Sequence, residues 1–154
     1  MNQEARRRLE DLLDSEIEVA RLLSATLTDE RSALIGDAPA AVQNKTAEKI
    51  QLLGTIERLE GERRALCAAT GLGVPGNAAD TNESGIARTV ADRWRALMEL
   101  MACCRTANEV NGYIIHVRQN QIRQLMDIVR GASPLTYGPH GKTFGNALRA
   151  RARA

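Results

Sequence analysis

The stretch that decides the fold is residues 94–129, which read WRALMELMACCRTANEVNGYIIHVRQNQIRQLMDIV. Two mainly apolar series in it recur every seven residues, and a heptad seam sustained over about five repeats is typical of a long helix packed on other helices. It predicts a third helix over about residues 86–130, with either Asp80 or Ser84 able to cap its start. The series are Trp94, Met101, Asn108, Ile115, Ile122, Val129 and Leu97, Cys104, Asn111, Arg118, Leu125.

Polar residues interrupt this seam near its middle, at Asn108, Asn111 and Arg118. Each asparagine amide must be hydrogen-bonded to a facing group, or it would cost about 1–3 kcal/mol. We therefore predict that Asn108 and Asn111 fix the register of the helices. Gly112 beside them would let a neighbouring backbone or side chain come close. In the alternative, which the sequence leaves open, this part of the helix faces water.

Two more helices are predicted upstream, over about residues 3–34 and 40–70. Between them, Asp37 can cap the second helix and Pro39 suits its first turn, while Gly71 suits a left-handed cap at its end. So short a connection implies an antiparallel hairpin. Apolar residues recur at helical spacing in both: Leu9, Leu13, Ile17, Ala20, Leu23, Leu27 and Leu34 in the first, and Val42, Ile50, Leu53, Ile56, Leu59 and Leu66 in the second.

Length and composition favour one helical domain. The 154 residues include one Trp, one Phe and two Tyr, so the core must be aliphatic. We predict an all-α fold, an antiparallel bundle of three long helices over residues 1–131, with a flexible C-terminal tail over 132–154. The third helix, at about 67 Å, is longer than the other two at about 46 Å each. Its C-terminal end should therefore project and expose an apolar stripe, as binding sites and dimer interfaces do: Ile122, Leu125, Met126 and Val129.

Signals of catalysis or metal binding are weak. The glycine-rich run at residues 71–76 follows a helix rather than a strand and contains Pro75, so we interpret it as a loop and not a nucleotide site. His116 and His140 have no neighbouring ligand set, and the cysteines lack metal-type spacing. The acidic residues of the first helix, Glu16 among them, are interpreted as an exposed salt-bridged face. We expect no catalytic site, no metal and no cofactor.

Charge and hydropathy limit the kinds of partner that the protein is expected to bind. Four basic and no acidic residues in 132–154 leave residues 1–131 with a net charge of −2, and no aromatic residues interleave the Arg-x-Arg-x-Arg run at 149–153. We therefore do not expect nucleic-acid binding. No apolar run approaches the roughly 18 residues of a membrane span, so stable membrane insertion is not expected either. A charged N-terminus without a signal pattern predicts a cytosolic protein.

Five segments, taken in order, carry a resemblance to a known family. They are Leu9–Glu16 (LEDLLDSE), Asp29–Asp37 (DERSALIGD), the leucines and arginines of Leu52–Leu66, Asn108-x-x-Asn111-Gly112, and Tyr137-Gly-Pro-His-Gly141. Together they resemble the FlgN family, the flagellar export chaperones of the hook–filament junction proteins. The resemblance spans nearly the whole chain, and its distinctive parts are the last two segments.

The resemblance implies a small α-helical cytosolic protein that binds the C-terminal helical ends of hook–filament junction (hook-associated) proteins. It would prevent their premature association and deliver them to the export-gate proteins. By analogy, Tyr137 is expected to dock on the export gate. The alternative is a coiled-coil scaffold or dimerising adaptor unrelated to export, and a homodimer is possible in either case. The residues expected to bind a client are Ile115, Ile122, Leu125, Met126, Val129, Phe144 and Leu148.

Overall fold

A computed structural model describes residues 3–71 and 84–131. Three helices make up this part of the chain: α1 (Gln3–Ile35), α2 (Pro39–Thr70) and α3 (Ser84–Val129). No strand occurs within the described residues, and the predicted all-α bundle is confirmed. Helix α3 begins at Ser84, two residues before the predicted start, and Asp80, the other residue considered as its cap, lies outside the described residues. The predicted flexible tail lies outside the described residues.

The turn between α1 and α2 differs from the predicted cap. Asp37 adopts a left-handed conformation, with φ of 54°, and the Ala38 N–H donates to the Ala33 carbonyl oxygen at 3.1 Å. This six-to-one hydrogen bond closes the C-terminus of α1, so Asp37 ends α1 instead of capping α2. The N-cap of α2 is Ala38, which makes no side-chain cap hydrogen bond. The prediction for Gly71 is confirmed, since it ends α2 with φ of 66°.

The direction of each helix follows from the side-chain contacts that join them. Residue numbers rise along α1 as they fall along α2, so these two helices are antiparallel. They rise together along α1 and α3, which are therefore parallel. The pairs are Glu16 with Arg63 and Glu30 with Lys49 between α1 and α2, and Asp14 with Arg93 and Leu27 with Asn111 between α1 and α3.

The core lies along one face of α1. All seven apolar residues predicted for the α1 stripe are buried, because both other helices pack on this helix. On α2 the pattern holds only in part: Ile56 and Leu59 are buried, whereas Ile50 and Leu53 are exposed. Two polar side chains, Lys49 and Arg63, occupy part of the α2 face that packs against α1. The two buried clusters are Leu9, Leu13, Ile17, Ala20, Cys67 and Leu97, and Leu23, Leu27, Ile56 and Cys104.

The chain divides into two compact units, Met1–Gly112 and Tyr113–Ala154, so that the boundary falls within α3. Both core clusters belong to the first unit. The boundary lies earlier than the predicted one at residue 131, and an independently folding domain over 1–131 stays a prediction. None of the helices in the described part of the chain combines the length and apolar character that crossing a membrane requires.

Candidate functional site

A buried asparagine joins α3 to α1 in the first unit. Asn111 is 1% exposed. Its Nδ2 donates to the Leu27 carbonyl oxygen at 2.9 Å and to Glu30 Oε2 at 2.8 Å. Its Oδ1 accepts a hydrogen bond from Arg31 Nε at 3.1 Å. Both ends of the amide are therefore satisfied by α1, as a buried polar group requires.

The carboxylate that Asn111 meets is itself fully buried and joins all three helices. Glu30 accepts hydrogen bonds from Lys49 Nζ at 2.8 Å and Thr46 Oγ1 at 3.0 Å, both on α2. Lys49 Nζ also donates to Asn108 Oδ1 at 3.2 Å. Burial raises the pKa of Glu30, but the hydrogen bonds from Lys49, Asn111 and Thr46 outweigh it and hold the pKa below its ordinary value.

The three residues predicted to specify the seam have different surroundings. Asn111 is buried and fully bonded, whereas Asn108 is exposed and accepts one hydrogen bond from Lys49. Apart from its chain neighbours and the backbone of its own helix, no described atom lies within 4 Å of a Cβ added at Gly112, so the close approach expected there is not found among the described residues. A role for the two asparagines in helix register stays a prediction.

Sequence reasoning missed the partners of Asn111, although a signal was present. Glu30 falls between Leu27 and Leu34 at the spacing of the buried α1 stripe, and Glu16 falls likewise between Leu13 and Ala20. A carboxylate on a core stripe needs a buried partner, and that requirement could have pointed to basic residues on α2.

A second buried pair corrects the interpretation of Glu16 as part of an exposed face. Glu16 is 2% exposed, and its two carboxylate oxygens accept from Arg63 Nε at 3.0 and 3.1 Å. The Arg63 guanidinium also lies 4.6 Å from the centre of the Trp94 ring, which adds a cation–π contact. Burial raises the pKa of Glu16 above its ordinary value, although the neighbouring Arg63 acts to lower it.

The predicted client-binding stripe lies in the second unit, on the last part of α3. Its four residues are exposed: Ile122, Leu125, Met126 and Val129, at 59%, 62%, 45% and 87%. Spacings of three, four and seven residues place them on one face of the helix. Ile115, seven residues before Ile122, is half-buried. The other proposed contact residues lie outside the described residues: Tyr137, Phe144 and Leu148.

The first unit also contains an apolar cleft that the sequence did not suggest, with a volume of about 220 Å³. Leu23, Leu27 and Cys104 are among its lining residues, with Leu53 and Met101 beside them. Burial raises the pKa of the Cys104 thiol, which disfavours the reactive thiolate. Within the described residues, no three His, Cys, Asp or Glu side chains are grouped as metal ligands would be.

Comparison with known proteins gives concordant matches. The family model described as FlgN protein matches residues 1–144, a range that includes Tyr137 and Phe144 but not Leu148. Two curated relatives, both named "Flagella synthesis protein FlgN", come from Salmonella typhimurium (strain LT2) and Salmonella typhi. Each is 27% identical over 139 residues, which cover 88% of this chain and 90% of the relative. No solved structure matches the chain significantly.

Proposed function

The chain belongs to the FlgN family, and on that premise we propose that it is a cytoplasmic export chaperone for hook–filament junction proteins. It binds their C-terminal helical ends, prevents their premature association and delivers them to the export gate. Relatives named for flagella synthesis support a flagellar role, with similarity over most of both chains. The family is of the chaperone type, so no catalytic step is part of the proposal.

One observation carries the proposal, the exposed apolar stripe Ile122, Leu125, Met126 and Val129 on α3. A helical client end with an apolar face of its own can pack along such a stripe, with anchors every three or four residues. Full burial of each of these side chains contributes about 1.5–3 kcal/mol. The net free energy of binding is smaller, because ordering the two partners in the complex opposes it.

The test places two negative charges on the stripe. Leu125→Asp with Val129→Asp should abolish binding of a purified hook–filament junction protein from the same organism, measured by calorimetry. Both side chains are well exposed, so helix content and melting temperature should stay near those of the parent. The matched control is Leu22→Asp with Ile50→Asp, two exposed apolar residues on α1 and α2, which should bind normally. Normal binding by the stripe variant would contradict the proposal.

Residues outside the described part of the chain are proposed to bind the client and the export gate. Phe144 and Leu148 lie four apart, so a short helix would present both to the client. Tyr137 lies between Pro134 and Pro139, and its large amphipathic ring suits a docking contact with the export gate. Family resemblance motivates both assignments.

The same stripe could instead join two copies of this chain, as in a dimerising adaptor. Sedimentation of the purified protein separates the two functions. A monomer that forms a one-to-one complex with a junction protein supports the chaperone. A stable dimer that Leu125→Asp and Val129→Asp dissociate, with no binding of junction proteins, supports the adaptor.

A further inference from the structure

Positive charge flanks the α3 stripe on one side. Arg123 lies three residues before Met126 and Arg130 lies four residues after it, so both guanidiniums are on the Met126 side of the stripe. They are seven residues apart, which is about 10.5 Å along a helix axis. Both side chains are exposed, and neither forms an ion pair or side-chain hydrogen bond with the described residues.

The opposite edge, beyond Leu125, carries no charge, since Arg118, seven residues before Leu125, lies in line with the stripe and upstream of it. Gln121, four residues before Leu125, and Ile128, three residues after it, occupy that side. The acidic residue nearby, Asp127, follows Arg123 by four and precedes Arg130 by three, so it lies beyond the arginines, away from the stripe. Residues 113–131 contain three arginines and one aspartate, so the net charge of this segment is positive.

We propose that the helix received by the stripe carries carboxylates along one of its own edges, placed about seven residues apart, and that Arg123 and Arg130 receive them. This inference rests on the proposed function and specifies the chemistry of the client. Charges at the edge of a binding surface mainly affect which partner is selected and how fast it associates. Because only one edge is charged, a client helix with one acidic edge is accepted in a single direction.

The test uses two designed helical peptides of 21 residues with the same leucine stripe. One carries Glu along one edge, and the other carries Lys at the same positions. Fluorescence anisotropy with the full chain at low salt should show that the acidic peptide binds about tenfold more tightly, with the preference shrinking as salt screens it. Arg123→Gln with Arg130→Gln should bring the two affinities close together. The matched control, Arg58→Gln with Arg64→Gln on α2, removes the same charge and should keep the preference.

Equal affinities for the two peptides, no binding of either, or a preference that survives Arg123→Gln with Arg130→Gln would overturn the inference. Failure of the proposed function is a separate result, seen when Leu125→Asp with Val129→Asp binds a junction protein normally. Equal binding of both peptides that is lost in that stripe variant would therefore refute the acidic edge and leave the client site in place.

Discussion

Asn111 on α3 donates a hydrogen bond of 2.8 Å to Glu30 on α1, and neither side chain is more than 1% exposed. The amide thus supports a carboxylate that also holds Lys49 of α2. A charged group in the interior requires several partners, so this contact ties the position of α3 to that of the α1–α2 hairpin.

Replacing Asn111 with Leu should therefore destabilise the protein strongly. The change leaves the Leu27 carbonyl without this donor and removes partners of Glu30 and Arg31, so the free energy of unfolding should fall by about 2–3 kcal/mol in urea titrations. Asn108→Leu is the matched control, since Asn108 is exposed and should cost less than about 0.5 kcal/mol. If Asn108→Leu combined with Asn111→Leu leaves the melting curve and the sedimentation profile unchanged, the asparagines do not fix helix register.

Stability should depend on pH through Glu30. Its pKa is lower in the folded protein than in the unfolded chain, so ionised Glu30 stabilises the fold above pH 4.5. This contribution is lost as the pH falls below 4.5 through the folded-state pKa. At pH 7 Glu30→Gln should be less stable by about 3 kcal/mol, because Lys49 loses its partner. Unfolding titrations from pH 7 to 3 should show this difference shrinking, whereas a constant difference would contradict the role given to Glu30.

The buried pair Glu16 and Arg63 should behave as a unit. Glu16→Leu alone leaves the guanidinium buried without its carboxylate and should cost about 3–5 kcal/mol. Glu16→Leu with Arg63→Met removes both charges and keeps apolar contact with Trp94, so most of that loss should be recovered. A double-mutant cycle from chemical denaturation measures the coupling. Additive effects of the two changes would show that the pair is not coupled.

Replacing helical glycines that have free space around them with alanine should stabilise the protein. Apart from chain neighbours and the backbone of the same helix, no described atom lies within 4 Å of a Cβ added at Gly54, Gly61 or Gly112. Each change to Ala should therefore stabilise the protein by about 0.5–1 kcal/mol through helix propensity, measured by thermal unfolding. Gly71→Ala is the contrasting variant and should destabilise, because its φ of 66° strains any residue with a Cβ. A loss of stability in Gly112→Ala would indicate a close neighbour at that site after all.

Truncation should separate the two roles proposed for residues 132–154. Deleting them should weaken client binding and abolish export, whereas Tyr137→Ala should reduce export and leave client affinity unchanged. Phe144→Ala with Leu148→Ala should lower client affinity directly. Calorimetry with a junction protein and a motility or secretion assay give the two readouts. A truncated chain that binds and supports export as well as the full one would show that the tail has no function.

Much of the candidate site could be predicted from sequence because its residues depend on local spacing. The stripe at Ile122, Leu125, Met126 and Val129 follows from helical periodicity, and its exposure agrees with the expectation. The cap at Asp37 could not be predicted, since the same residue can start one helix or end another. Asp37 ends α1 because the Ala38 N–H donates to the Ala33 carbonyl oxygen. That hydrogen bond exists only once the turn has formed.

The sequence by itself determined three helices, their approximate ends and the buried face of α1, because periodicity and turn residues act over a few positions. Only the tertiary structure decided which charges are buried and what they pair with. Glu16 with Arg63 and Asn111 with Glu30 join residues that are 47 and 81 positions apart. Such pairs form because burial makes an unpartnered charge or amide costly, and helix packing determines which partner is within reach.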